Sequence, residues 1–322
     1  MKIEAAGAAF SPCPDRFVAE GYREGLPLLE QFEELSKIEG LNGIPFLYPH
    51  GLKDNKEMTR LCESINRSVG TICPDTYTIR KWKSGTLTNN DPKTRRESLE
   101  LIKESMDLCH EVKGADVLLW LAHDGYDYPF EHDYSNKWDM LVEGLREVAN
   151  YRSDVKVTIE YKAKEPMTHQ YISDAGKSLL LCREVGAENL GVVLDFGHSM
   201  AAGENPAEAV DLIARYNKLF HIHMNDNYRS WDDDLLTGSI HFWETLEFFY
   251  RLAAVGYDGW FVIDIWPSRI DGVKALKESV KRIQSFDKLA RELPMKEISR
   301  LQAQNKTMDI LELLREKTTR LH

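Results

Sequence analysis

Four short apolar runs in the second half of the chain each end in residues that ionise or coordinate. They read Ile159-Glu160-Tyr161-Lys162, Leu194-Asp195-Phe196-Gly197-His198, His221-Ile222-His223-Met224-Asn225-Asp226 and Ile263-Asp264-Ile265. If these runs are neighbouring strands, Glu160, Asp195, His223 and Asp264 reach one rim, where three carboxylates repel one another unless a cation sits among them. Several oxygens with one imidazole suit a divalent ion, Mn²⁺ foremost with Mg²⁺ or Co²⁺ as alternatives, over an ion that prefers thiolate. Side chains alternate along a strand, so His221 and His223 share a face, with His221 one layer deeper and His223 the better placed ligand. By the same alternation Lys162 lies on the face of Glu160, where an ammonium can stabilise developing negative charge. Further on, Trp231-Asp232-Asp233-Asp234 offers Asp232 and Asp234 to one side, and with His198 and Asp195 these make a second candidate cation site.

A rim of this kind needs parallel strands held side by side. Eight short β-rich runs alternate with helical patterns, at residues 3–9, 43–47, 68–73, 116–121, 156–161, 190–194, 219–224 and 259–265. Eight is the number of a closed (β/α)₈ TIM barrel, and it favours that fold over the doubly wound open sheet with the same local pattern. Amphipathic stretches at 93–112, 138–151 and 206–216 read as the outer ring of helices. In such a barrel the chemistry gathers at the C-terminal strand ends, where the residues above fall. Residues 1–290 are expected to form the barrel, closing with a helix over 273–289, and residues 291–322 a helical tail. Within the tail, Pro294 precedes a polar, heptad-like segment at 295–317. Its apolar positions Ile298, Leu301, Met308, Leu311 and Leu314 suit packing on a neighbouring subunit or on the chain's own barrel, and the first option predicts a homo-oligomer.

Bulk properties narrow the partners. The 322 residues are 43% hydrophobic and carry a formal charge of -11, from 41 Lys and Arg against 52 Asp and Glu, without a basic stripe. That balance suits a globular enzyme of small neutral ligands and argues against nucleic acid. Five scattered cysteines without a Cys-x-x-Cys pair support neither a disulfide framework nor a thiolate zinc site, and point to a reducing cytoplasm. The first ten residues are unlike a signal peptide, and no run of about 18 apolar residues occurs, so neither export nor a membrane is expected.

With these residues in order, the chain resembles the xylose isomerase-like barrels. The carrying pattern is Glu160-x-Lys162, Asp195-x-x-His198, His223, Asp232-x-Asp234 and Asp264, joined by the stretch from Lys83-Ser84-Gly85-Thr86 to Thr94-Arg95 and by Trp120-Leu121-Ala122-His123-Asp124-Gly125. The resemblance implies a metal-dependent aldose–ketose isomerase acting on an unphosphorylated sugar through two ions and a hydride shift. It gives Lys162, Glu160 and Asp264 catalytic parts, makes Trp120 an apolar wall of the sugar site, and places His198 at the substrate, together with Arg229, which follows His223 at the spacing seen in the ketose epimerases. His50, in Tyr48-Pro49-His50-Gly51, stands where the family has a histidine that assists ring opening. The chain departs from xylose isomerases at the Trp120 loop, in lacking their His-Asp-Asp-Asp run, and at His223, which is closer to rhamnose isomerase and the ketose epimerases. A ketose 3-epimerase is therefore the alternative, with Glu160 and Asp264 exchanging a C3 proton, although it leaves Lys162 and Asp232-x-Asp234 without work.

Overall fold

Eight parallel strands close on themselves in a computed structural model that describes residues 1–5, 7–50 and 54–318. They are β1 (Lys2–Ala5), β2 (Gly43–Tyr48), β3 (Ser68–Pro74), β4 (Val117–Trp120), β5 (Val157–Glu160), β6 (Leu190–Asp195), β7 (Leu219–Met224) and β8 (Trp260–Ile263). Each pairs with its sequence neighbours and β1 pairs with β8, which completes the TIM barrel expected from the sequence. Helices follow every strand, among them Pro92–Val112, Tyr134–Tyr151, Ala175–Val185, Pro206–Ala214, Phe242–Ala254 and Gly272–Glu292.

The local sequence explains where these helices begin. Asp91, Asp133, Asp174, Asn205 and Asp271 each cap a helix by accepting from a backbone N–H of its first turn, and Pro92 and Pro206 fill first positions where no N–H is needed. Apolar strand residues such as Val117, Val157, Ile159 and Val192 are fully buried. Between strand β8 and its covering helices, the ring of Phe249 stacks on Phe261 and Phe286 at centroid distances of 5.8 and 5.9 Å.

The barrel interior also holds a polar layer below the rim. Asp116 accepts from Thr158 Oγ1 at 3.1 Å and from His221 Nδ1 at 2.9 Å, while Glu4 accepts from the Thr71 N–H at 3.0 Å. Nε2 of His221 lies 3.2 Å from Glu4 Oε1. Burial works against a charged imidazole here, but Asp116 and Glu4 outweigh it and raise His221 to about 9.

One expectation needs correcting. The first strand ends at Ala5 rather than running to residue 9, because Gly7–Phe10 winds into a 3₁₀ turn whose Ala9 carbonyl accepts from Arg23 and crowds Gly272. The tail is two helices, Met295–Ala303 and Thr307–Thr318, broken around Asn305 at φ 55°. Ile298 and Leu301 are buried on the chain's own barrel, whereas Met308 and Leu311 face outward, 67% and 51% exposed. No helix among the described residues is long and apolar enough to cross a membrane, and all five cysteines are free.

Candidate metal centre

The rim expected from the strand ends assembles. In the β-ladders Glu160 stands opposite Val193, Asp195 opposite His223, and His223 opposite Val262, so four consecutive strands bring their last polar residues to one level. Asp264 follows β8 directly, its N–H bonded to the Met224 carbonyl at 3.2 Å. Glu160, Asp195, His223 and Asp264 each offer a ligand atom, and these four atoms lie within 4.8 Å of one another. Among the described residues they are the only such gathering of His, Cys, Asp and Glu.

The donor set fits a divalent cation. His223 Nδ1 is 3.2 Å from Glu160 Oε1, 3.3 Å from Asp264 Oδ2 and 3.9 Å from Asp195 Oδ2, yet neither of its buried ring nitrogens makes a hydrogen bond. Orphaned buried nitrogens aimed among carboxylates are costly unless an ion lies between them. The charges are correspondingly distorted. Burial opposes ionisation of Glu160, but His223 and His198 hold it well below the carboxylate range. Burial, then repulsion from Glu160, Asp232 and Asp264, pushes Asp195 up to about 7 against the pull of His198. Despite burial, Glu160 and Asp264 hold His223 well above the usual imidazole range.

The second expected group lies beside the first and is organised differently. His198 places Nδ1 3.1 Å from the Tyr161 carbonyl and Nε2 3.0 Å from Asp232 Oδ2. That same oxygen accepts from Lys162 Nζ at 2.7 Å. Asp195 Oδ1 accepts from the His198 N–H at 2.7 Å and so caps the short helix Phe196–Ala201. Asp234 joins only through Asn225, whose Nδ2 donates to Asp195 Oδ2 at 3.0 Å and lies 3.3 Å from Asp234 Oδ1. Burial and the neighbouring Asp232 and Asp264 hold Asp234 well above the carboxylate range.

Asn225 was not singled out from sequence, although it continues the alternation His221, His223, Asn225 on one strand face. Its approach depends on Gly197, where a Cβ would meet Asn225 Oδ1 at 2.3 Å. Asp226 closes the loop that carries Asp232 and Asp234 by accepting from Ile240 N, His241 N and His241 Nδ1. Glu165 was also missed. It sits 3.1 Å from Lys162 Nζ in a loop where periodicity gives no signal.

The expected substrate residues fall in three different surroundings. Trp120 is half-buried beside the rim, with Lys162 Nζ 5.2 Å from its ring centroid and Tyr77 packed edge-on at 4.7 Å. Its loop is pinned by Asp124, which accepts from Thr86 N at 3.1 Å and from Thr88 N at 2.6 Å, so the Lys83–Arg95 stretch buttresses the Trp120 loop. His50 is half-exposed and bonded through Nε2 to buried Asp75, which β3 delivers; its neighbour Gly51 lies outside the described residues. Arg229 is exposed and pairs with Glu244 at 3.0 Å rather than with the quartet.

The pattern of residues matches a known family over 32–286, described as xylose isomerase-like TIM barrel. The chain belongs to that family. It is 28% identical to a xylose isomerase of Ruegeria pomeroyi over 171 residues, 51% of this chain and 39% of that protein. A Thermus thermophilus xylose isomerase is 27% identical over 210 residues, 63% of this chain and 54% of its own length. The chain thus spans roughly two fifths of the length of the first curated relatives it matches. Among solved structures, an L-ribulose 3-epimerase superposes with a TM-score of 0.71 at 18% identity, covering 90% of this chain and 96% of that one. A D-tagatose 3-epimerase-like protein gives 0.68 at 19% identity over 88% and 99% of the two chains. At such identity these likenesses speak for the xylose isomerase-like fold alone.

Proposed function

We propose that this chain is a metal-dependent sugar isomerase that interconverts an aldose and a ketose, acting on an unphosphorylated sugar. The observation that carries the reading is Lys162, an almost buried ammonium set beside the carboxylate rim and over the face of Trp120. A two-carboxylate epimerase has no use for it. Matches to proteins named xylose isomerase support the same reading.

In this proposal Glu160, Asp195, His223 and Asp264 hold one divalent ion, taken as Mn²⁺ with Mg²⁺ or Co²⁺ as chemical equivalents, and Asp195, His198, Asp232 and Asp234 hold a second. Bound there, such ions supply Lewis-acid polarisation of substrate oxygens and lower the pKa of water toward neutrality. The protein residues orient and neutralise. Lys162 donates to O1 and stabilises the charge that builds as the C2 hydrogen passes to C1 as hydride, while O2 loses the proton that O1 gains. Trp120 keeps water from the C1–C2 axis, and Glu160 and Asp264 orient the hydroxyls. His50, held by Asp75, serves ring opening, and His198 lies beneath the sugar; Arg229 reaches a substrate only by leaving Glu244. Lys162 at the rim and Arg229 on the surface nearby are each matched by carboxylates, which supports a substrate without phosphate.

We extend the proposal to the whole chain as a barrel over 1–290 with a tail over 291–322, of which 319–322 lie outside the described residues. Copies associate through the tail, and the free cysteines support a cytoplasmic setting.

One observation favours the 3-epimerase reading: Glu160 and Asp264 both approach the same His223 nitrogen, at 3.2 and 3.3 Å. Turnover in D₂O separates the two. A hydride shift leaves the C1 and C2 hydrogens largely unlabelled and C3 free of deuterium. Stoichiometric deuterium at C3 of a ketose product would overturn the isomerase reading and make Glu160 and Asp264 the acid–base pair.

A further inference from the structure

Lys162 Nζ and His198 Nε2 share one oxygen, Asp232 Oδ2, at 2.7 and 3.0 Å. The same ammonium is 3.1 Å from Glu165 Oε2. Two carboxylates therefore hold one lysine, and each keeps a buried oxygen without a hydrogen-bond partner, Asp232 Oδ1 and Glu165 Oε1. Glu165 is fixed in this place at some cost, since its backbone φ is 76°. A buried acceptor left bare is unfavourable unless another donor or cation reaches it.

The atoms that would take a second divalent ion, Asp232 Oδ2 and His198 Nε2, are the atoms that Lys162 already engages or adjoins. A divalent charge and an ammonium within a few ångströms in a nearly dry pocket repel strongly, so each weakens the other's hold on Asp232. Of the two carboxylates that hold the ammonium, Glu165 is the one without a part in either proposed ion site. It is three residues along the same segment and already in contact with Nζ.

We propose that Lys162 is the chain's own exchangeable counter-cation for Asp232, and that Glu165 is the residue that receives it when a second divalent ion takes Asp232 and His198. The proposal rests on the metal-dependent reading above. It makes Glu165 a positioning residue: it parks the ammonium over Trp120, at the substrate and off the ligands. The two residues then act on second-ion binding in opposite senses. Lys162 opposes the ion, and Glu165 favours it by offering the lysine another partner.

The test is calorimetric titration of chelator-stripped protein with Mn²⁺, comparing wild type with Lys162→Met and Glu165→Gln, each checked for native far-UV circular dichroism. All three should show the same tight first event, which reports the quartet of Glu160, Asp195, His223 and Asp264. The second event should tighten about tenfold or more in Lys162→Met and weaken about tenfold in Glu165→Gln, in keeping with the worth of a desolvated charge contact. Lys162→Gln keeps a donor to Asp232 without the charge and should shift in the same direction as Met, which preserves the test if Met unsettles the fold. A second event unchanged, weakened or absent in the Lys162 variants overturns the exchange. Loss of the first event in wild type overturns the metal-dependent reading itself, and the exchange with it.

Discussion

The imidazole of His221 stands edge-on to that of His223, ring centroids 5.7 Å apart and planes at 89°. The upper ring belongs to the carboxylate rim. The lower is locked between Asp116 and Glu4 in the polar layer of the barrel. One strand thus joins a site that must stay open to ligands to a cluster that must stay closed.

The lower cluster predicts a stability that depends on pH. His221 rises from 6.5 to about 9 on folding, so its contribution is complete below about 6.5 and is lost as pH climbs through about 9. Thermal melts across that window should show the wild type losing stability, whereas His221→Gln should be flatter and lower at neutral pH. Removing one partner of a buried ion cluster costs about 3–5 kcal/mol. Parallel pH profiles for the two proteins would remove His221 from this role.

The upper ring predicts proton release. His223 is held well above the usual imidazole range and so carries a proton at neutral pH that a metal must displace, and Asp195, raised to about 7, is partly protonated there as well. Mn²⁺ titrations in buffers of different ionisation enthalpy should give about one or more protons released per first ion. Uptake, or no net exchange, would contradict the assignment of His223 as a ligand. Chelation should abolish turnover and added Mn²⁺ should restore it.

Lys162→Met should lower kcat by about a hundredfold or more with little change in KM, since it removes stabilisation made mainly in the transition state. The first metal should be retained, because no quartet atom bonds to Nζ. Steady-state kinetics beside metal analysis checks both, and an unchanged kcat would leave Lys162 as a counter-ion only.

The outward face of the last helix predicts association. Met308→Glu with Leu311→Glu should move the protein from oligomer to monomer in sedimentation velocity, leaving the melting temperature within a few degrees. A wild-type monomer at micromolar concentration would dismiss the tail as an interface.

Much of the barrel was legible in the sequence because buried parallel strands are short apolar runs, and because polar residues at their ends have only one place to point. Leu219–Met224 carries the whole logic: His221 inward and deep, His223 inward at the rim, Asn225 next along. What was not legible depends on contacts across the chain. Residues 3–9 look like one strand, and only Arg23 and Gly272 reveal the turn after Ala5. The heptad-like tail shows no break until Asn305 adopts a left-handed backbone. Asp232 and Asp234 look alike in sequence, yet one is held by Lys162 and His198 and the other by Asn225. Asp75 as the anchor of His50 joins residues that follow two different strands, and no local pattern announces it.

Asp195 is at once a rim carboxylate and the N-cap of the helix that carries His198, with Gly197 between them making room for Asn225. Directed evolution of this site would therefore find that position closed, since any change there alters a helix start, a neighbouring imidazole and a proposed ligand in one stroke. Asp264, beyond the end of its strand with 38% of its side chain exposed, carries no such second duty. If the chain is the sugar isomerase proposed above, adaptation to a new sugar has its freest ground on that side of the barrel mouth.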